Sequence, residues 1–373
     1  MENRHLEIHQ LLKEAGEEKS PERAMDLLSK AINLADMEKD MAVQFETRAQ
    51  YLLSCFRYGY HDRSIATFPW LISHAEKHSD IINQASILIL YITIINGITE
   101  FPNISLDQIK QVLDEMKTWY LKTGFSLQEC YKISRHAMLE MGRVEDADTF
   151  LNLAQNAAPG IFIHEPGAFD VFSEVTYADH LGNYQEAIDL AQPLLKGFPE
   201  TYDLHAPFSA LSTSFLATGK LEYAIQCFNF SQKKHFGLEY NHLWYGYKFL
   251  FFLVITKNLE AAANNFRRFF KRAAAGHAKG LTFLYYLAAS FFLKEYSKKQ
   301  QKINHVPLLG SFPHYRSDQE YDCQLLLEWI KDETEKLAFG FNERNGNTFF
   351  TELIERHKLM ESLQTTKKID LEF

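Results

Sequence analysis

A small side chain returns along this chain at Ala24, Ser64, Ala147, Ala187, Ala224 and Ala262, with separations of 40, 83, 40, 37 and 38 residues. The long interval divides at Ile109, a degenerate member of the series. Other columns keep phase with it. Five residues earlier stand Lys19, Gly59, Gly142, Gly182, Gly219 and Lys257, and nine earlier stand Ala15, Cys55, Met138, Ala178, Phe215 and Leu253. Four residues later come Leu28, Phe68, Leu151, Ala191, Phe228 and Phe266. Self-similarity at such a period means a stack of supersecondary units, because one unit cannot bury its apolar face alone.

The clearest unit runs over 208–231, where Phe208, Leu211 and Phe215 precede Gly219, and Leu221, Ala224, Phe228 and Ser231 follow it. Apolar residues three and four apart on either side of a glycine describe two amphipathic helices joined by a tight turn. The glycine gives the turn an unhindered backbone, and the small anchor lets the helices approach. The same reading predicts helix pairs at 6–15 with 21–34, 43–58 with 62–78, 81–98 with 105–120, 127–142 with 145–157, 168–181 with 184–195, and 241–255 with 259–274. Pro21 suits a first helical turn, and Ser105 suits an N-cap. Pro159 and Pro199 close two units. The third pair departs most, having a long connection with Pro102, and 159–167 is a loop longer than usual.

After residue 274 the register changes. Residues 281–296 form a very aromatic helix, 297–317 read as a mobile basic insertion, and helices at 321–337 and 348–363 follow. Asn345-Gly346-Asn347 marks the start of the last one, and the tail LQTTKKIDLEF reads as frayed. The expected division is therefore 1–280 for the repeats, 281–363 for a divergent end with capping helices, and 364–373 for a tail.

The order large, large, small, aromatic, Gly, large, Ala, aromatic, small closely resembles a tetratricopeptide repeat. The resemblance covers residues 6–274, and its units are longer than the 34 residues usual for that superfamily. It implies an all-α fold, a right-handed α-α superhelix of about seven helical hairpins with C-terminal capping helices. It further implies a concave groove lined by the first helix of each unit. Counting 18, 15, 11 and 8 residues back from each anchor gives the groove positions. They include Glu129, Lys132 and His136; Phe169, Phe172, Thr176 and Asp179; Ser209 and Thr213; and Trp244, Tyr247 and Phe251. Aromatic area with a few polar groups for orientation is what a peptide-binding surface needs.

Other chemistry finds little support. A net charge of −9 argues against a nucleic-acid footprint. The richest apolar run, 85–98, is too short to span a bilayer. The N-terminal stretch is charged and carries no secretory apolar core. Cys55, Cys130, Cys227 and Cys323 are scattered through helical runs, so reduced structural thiols and a cytoplasmic setting are expected. No phosphate-binding loop, dinucleotide fingerprint, nucleophile elbow or paired Cys/His motif occurs, so neither cofactor nor metal is expected. His74 and His78 share a helix face without a third ligand. His164-Glu165 in the loop has the residue types of an acid/base pair.

The function expected is non-catalytic binding of a protein or peptide segment. Alternatives are a regulator that senses a small peptide and changes superhelical pitch, as in bacterial tetratricopeptide regulators, and an α/α-toroid enzyme. The enzyme would draw its acids from Glu129, Asp179 and Glu239, which lie far apart along the chain. The apolar helix 281–296 also offers a self-association surface.

Overall fold

The computed structural model describes residues 2–78, 81–158, 160–163, 168–195, 205–233 and 243–369, with the side chains of residues 2, 3, 168, 169, 205 and 233 outside that description. Helices follow where the 3.6-residue period of apolar positions coincides with a cap. In α2 (Pro21–Met37), the Ser20 side chain accepts from the Arg23 amide, Pro21 fills the first turn, and Ala24, Leu28, Ala31 and Ala35 make the buried stripe. In α3 (Met41–Arg57), Asp40 accepts the amides of Ala42 and Val43, satisfying donors that a helix start leaves open. With α1 (Glu2–Glu17), α4 (His61–Lys77), α5 (Gln84–Ile98) and α6 (Leu106–Thr123), these form successive packed pairs.

The described part is all-α: eighteen helices and one two-stranded ribbon. No described helix is long and apolar enough to cross a membrane. The chain divides into two compact units. One comprises Met1–Glu100, Leu106–Ser134 and Leu151–Ile163, and the other Phe101–Ser105, Arg135–Phe150 and His164–Phe373. Helices α7 (Leu127–Glu140) and α8 (Val144–Asn156) give the second unit their shared turn and the first unit their far ends.

The second unit holds α9 (Ala168–Leu181), α10 (Tyr184–Leu190), α11 (Gln192–Leu195), α12 (His205–Ala217), α13 (Leu221–Lys233), α14 (Leu243–Ile255), α15 (Leu259–Ala275) and α16 (Lys279–Tyr296). After these come β1 (Lys302–Ile303), β2 (Tyr321–Asp322), α17 (Cys323–Asn345) and α18 (Phe349–Glu361). First helices pack on first helices: α9 on α12, α12 on α14, and α14 on α16. Each of α10, α13 and α15 packs on the first helix of its own pair. Gly142, Gly182 and Gly219 sit in the left-handed region at the turns, with φ of 69°, 85° and 75°. The phenylalanines form the core: Phe228 stacks on Phe252 with ring centroids 4.3 Å apart, and Phe266 on Phe270 at 4.5 Å.

Four expectations are corrected. The basic stretch is docked, not mobile. Lys302–Ile303 pairs antiparallel with Tyr321–Asp322, and Ile303, Val306 and Phe312 are buried. The Phe312 ring meets Trp329 edge-on at 4.6 Å. Its apolar residues decide its place, while its lysines stay outside.

The tail is not frayed through Ile369. The Thr365 amide donates to the Ile255 carbonyl at 2.9 Å, and the Asn258 side-chain amide donates to the Lys367 carbonyl at 2.9 Å. It thereby occupies acceptors that the end of α14 leaves open. Helix α17 continues past the expected end at Leu337 to Asn345. Gly340 lies inside it, because a Cβ there would come within 3.2 Å of Pro102. The apolar face of α16, offered above to a second copy, is already buried within the chain, where α14, α15 and α17 pack on it.

Candidate functional site

The last turn of α9 brings Asp179 toward α12 and α14. Ser214 Oγ donates to Asp179 Oδ1 at 2.8 Å, and the Lys248 ammonium pairs with Oδ2. Both Asp179 and Lys248 are 5% exposed. One desolvated carboxylate thus ties three first helices together. Removing either charge would leave its partner buried and uncompensated, which is the costly way to break such a pair. Lys248 also lies 5.2 Å from the Tyr247 ring centroid and 5.7 Å from that of Trp244.

Over this cluster lies α18, with Phe349, Phe350, Leu353, His357 and Met360 buried in one helical stripe. Tyr247 Oη is 2.9 Å from His357 Nε2, and His357 Nδ1 is 2.9 Å from the Leu353 carbonyl oxygen. A carbonyl only accepts, so the proton belongs on Nδ1, and Nε2 accepts from the tyrosine. Arg356 donates to the His180 carbonyl at 2.8 Å. Tyr184 Oη lies 3.2 Å from Met360 Sδ.

Burial drives the protonation states here. It pulls His357 down to about 3 and, with Lys248 and Arg356 nearby, His180 down to about 4, so both rings are neutral near neutral pH. It pushes the Tyr247 and Tyr184 phenols up, with Asp179 adding to both shifts. His180 Nε2 is buried without a hydrogen-bond partner.

Two turn glycines serve this seat. A Cβ on Gly142 would fall 2.2 Å from the Phe349 ring, and one on Gly182 would fall 2.8 Å from the Arg356 guanidinium. Gly219, in the same turn position, would meet nothing within 4 Å. Between α18 and the first helices a cavity of about 20 Å³ remains. That is room for about one water molecule, not for a peptide.

Of the expected groove residues, Thr176, Asp179, Thr213, Trp244 and Tyr247 line this cavity together. Phe251 is buried against His357, with ring centroids 4.9 Å apart. Phe172 is half-buried, and Ser209 is fully buried. His136 is buried and stacks on Tyr177 at 4.7 Å. Glu129 and Lys132 belong to the first unit, where Glu129 is buried and accepts the Ile163 amide at 2.9 Å and Lys132 is half-buried. The Phe169 side chain, Glu239, and the His164-Glu165 pair lie outside the described residues. His74 Nδ1 bonds the Trp70 carbonyl at 2.7 Å, and its ring stacks on Trp70. No cluster of three metal-ligating side chains occurs among the described residues.

Sequence reasoning did not single out Lys248, His180 or Tyr184, and although it placed a helix at 348–363 it did not seat that helix on this face. Lys248 did leave a signal: it is the one charged residue in LWYGYKFLFFLVI, and a charge in an apolar helix implies a buried partner. The four cysteines are free and buried. Burial pushes Cys55, Cys130 and Cys227 up to about 12 and Cys323 to about 11, so they are unreactive as thiolates. No protein-family model matches the chain, and no curated protein matches it.

Proposed function

We propose that the chain is a non-catalytic, tetratricopeptide-like scaffold that binds a protein or peptide segment on its row of first helices. In this reading the hairpins form a right-handed α-α superhelix, and the protein works in the cytoplasm, where its buried thiols stay reduced. One observation carries it. The face shared by α9, α14 and α16 already holds a helix, through the Tyr247–His357 bond, the Arg356–His180 bond and the Phe283–Phe350 ring contact. Aromatic area supplies adhesion there, and a few polar groups fix direction. Asp179, the acid an enzymatic reading would need, is engaged by Lys248 and Ser214, which favours binding over catalysis.

The test is capture of partners by the full chain, compared with Trp244→Ala/Tyr247→Ala, with circular dichroism confirming that the variant keeps its helices. A stoichiometric partner held by the native chain and lost by the variant is the expected result. A partner held equally by both, or none at all, would overturn the assignment.

A further inference from the structure

The helix seated on the first-helix row belongs to the chain itself, and its fit is incomplete. It leaves the cavity of about 20 Å³ and the unbonded His180 Nε2 at its centre. Beside the buried Phe349, Phe350, Leu353 and Met360, it carries two oriented polar ties, Arg356 to the His180 carbonyl and His357 to Tyr247.

The segment that follows binds as an extended peptide binds. The Thr365 and Lys367 amides donate to the Ile255 and Thr256 carbonyls at 2.9 and 3.4 Å. Such main-chain pairing accepts almost any sequence.

A pivot is present as well. Gly346 takes a left-handed φ of 65° between α17 and α18. Just before it, the Asn345 side-chain amide anchors the end of α17 to the Met141 carbonyl at 3.0 Å. Beyond it, Asn347 donates to the same Met141 carbonyl at 3.0 Å, and Asn342 of α17 accepts the Phe350 amide at 3.0 Å, so displacing α18 breaks the Asn342 bond while Asn345 and Asn347 keep the turn in place.

We propose that α18 and the segment after it are an internal stand-in for the partner. The true guest is an amphipathic helix of another protein with an aromatic residue, Leu, Arg, His and Met spaced as Phe349, Leu353, Arg356, His357 and Met360, continuing into an extended strand. It binds by displacing α18 about the Gly346 turn. This rests on the scaffold reading of the first-helix row and adds the partner's form and its control: the seat is closed until a competing helix arrives.

The probe is a fluorescent synthetic peptide of residues 347–369, titrated into the full chain and into full-length Arg356→Ala/His357→Ala. Weakening the internal occupant should tighten peptide binding at least tenfold, and the same two substitutions in the peptide should abolish it. In the native full chain, amide hydrogens of α18 should exchange at least tenfold faster than those of α17. Equal affinity for the two chains overturns the proposal, and so does an α18 as protected as α17. If the variant fails to fold, exchange on the native chain decides alone. Failure here leaves the scaffold reading standing, since that is judged by a captured partner. A peptide bound equally well by Trp244→Ala/Tyr247→Ala would sink both.

Discussion

Helices α17 and α18 are consecutive and close the same unit, yet different physics holds each. Along α17, Leu326, Ile330, Ala338 and Phe341 face apolar neighbours and are almost wholly removed from water. Along α18, Phe349, Phe350, Leu353 and Met360 share the helix with Arg356 and His357, which bond to α9 and α14. Apolar burial scales with area and tolerates small displacements. A buried polar contact depends on its geometry, and breaking it strands desolvated groups. Area fixes α17 and fit fixes α18, so the first should persist until the fold is lost, and the second should be separable from it.

The largest effect is expected at the apolar end of this contrast. Phe341 is fully buried and stacks on Phe350 at 4.3 Å. Phe341→Ala should cost about 4 kcal/mol, read as a lower urea midpoint by far-ultraviolet circular dichroism, with α17 lost in the same transition as the rest of its unit. If α17 melted apart from the rest, area would not be what fixes it.

At the polar end, Lys248→Met leaves Asp179 buried with only Ser214 beside it, at a cost of about 3 kcal/mol. Asp179→Asn added to it should recover most of that loss. Two variants whose effects simply added would show that the pair is not coupled.

Acid sharpens the comparison further. An unfolded histidine titrates near 6.5, whereas folding lowers His180 to about 4 and His357 to about 3. Their contribution is therefore complete above pH ~6.5 and is lost as pH falls toward the folded values. For His357 alone the loss reaches about 2 kcal/mol by pH 5. In single-tryptophan variants, Trp244, beside α18, should change its fluorescence before Trp329, which packs against Phe312 and Phe270. Simultaneous changes would mean that the two seats respond as one.

The smallest effect is a gain. Lys257 holds a left-handed φ of 58° where other turns carry glycine. Lys257→Gly relieves about 1 kcal/mol of backbone strain and returns roughly half to the freedom of the unfolded chain. A rise in Tm of a degree or two, with exchange of α18 unchanged, would place that strain outside the seat. Faster exchange would tie the tail at Ile255 to α18.

Much of this was legible in the sequence, for a physical reason. Hairpins are local objects: their 3.6-residue period, turn glycine and small anchor all lie within one unit of chain. That is why counting from the anchors found Thr176, Asp179, Thr213, Trp244 and Tyr247, which share one cavity. The occupant of that face was illegible, because α18 joins α14 across a separation of 110 residues at the Tyr247–His357 bond, and no periodicity spans such a contact. The end of α17 was illegible in a related way, since Gly340 inside the helix makes room for Pro102, far away in sequence. In the basic stretch, four cations drew more notice than Ile303, Val306 and Phe312, which place the segment.

The turn glycines carry a consequence for how such a chain can diverge. Gly59 and Gly219 answer only to their own backbone, and asparagine, which tolerates that conformation, is open to them. Gly142 and Gly182 answer in addition to Phe349 and Arg356, far away in sequence. Relatives that keep the last helix should keep both glycines, and relatives that shed it should let them drift together. Two apparently local turn positions would then record whether a lineage still closes its own seat.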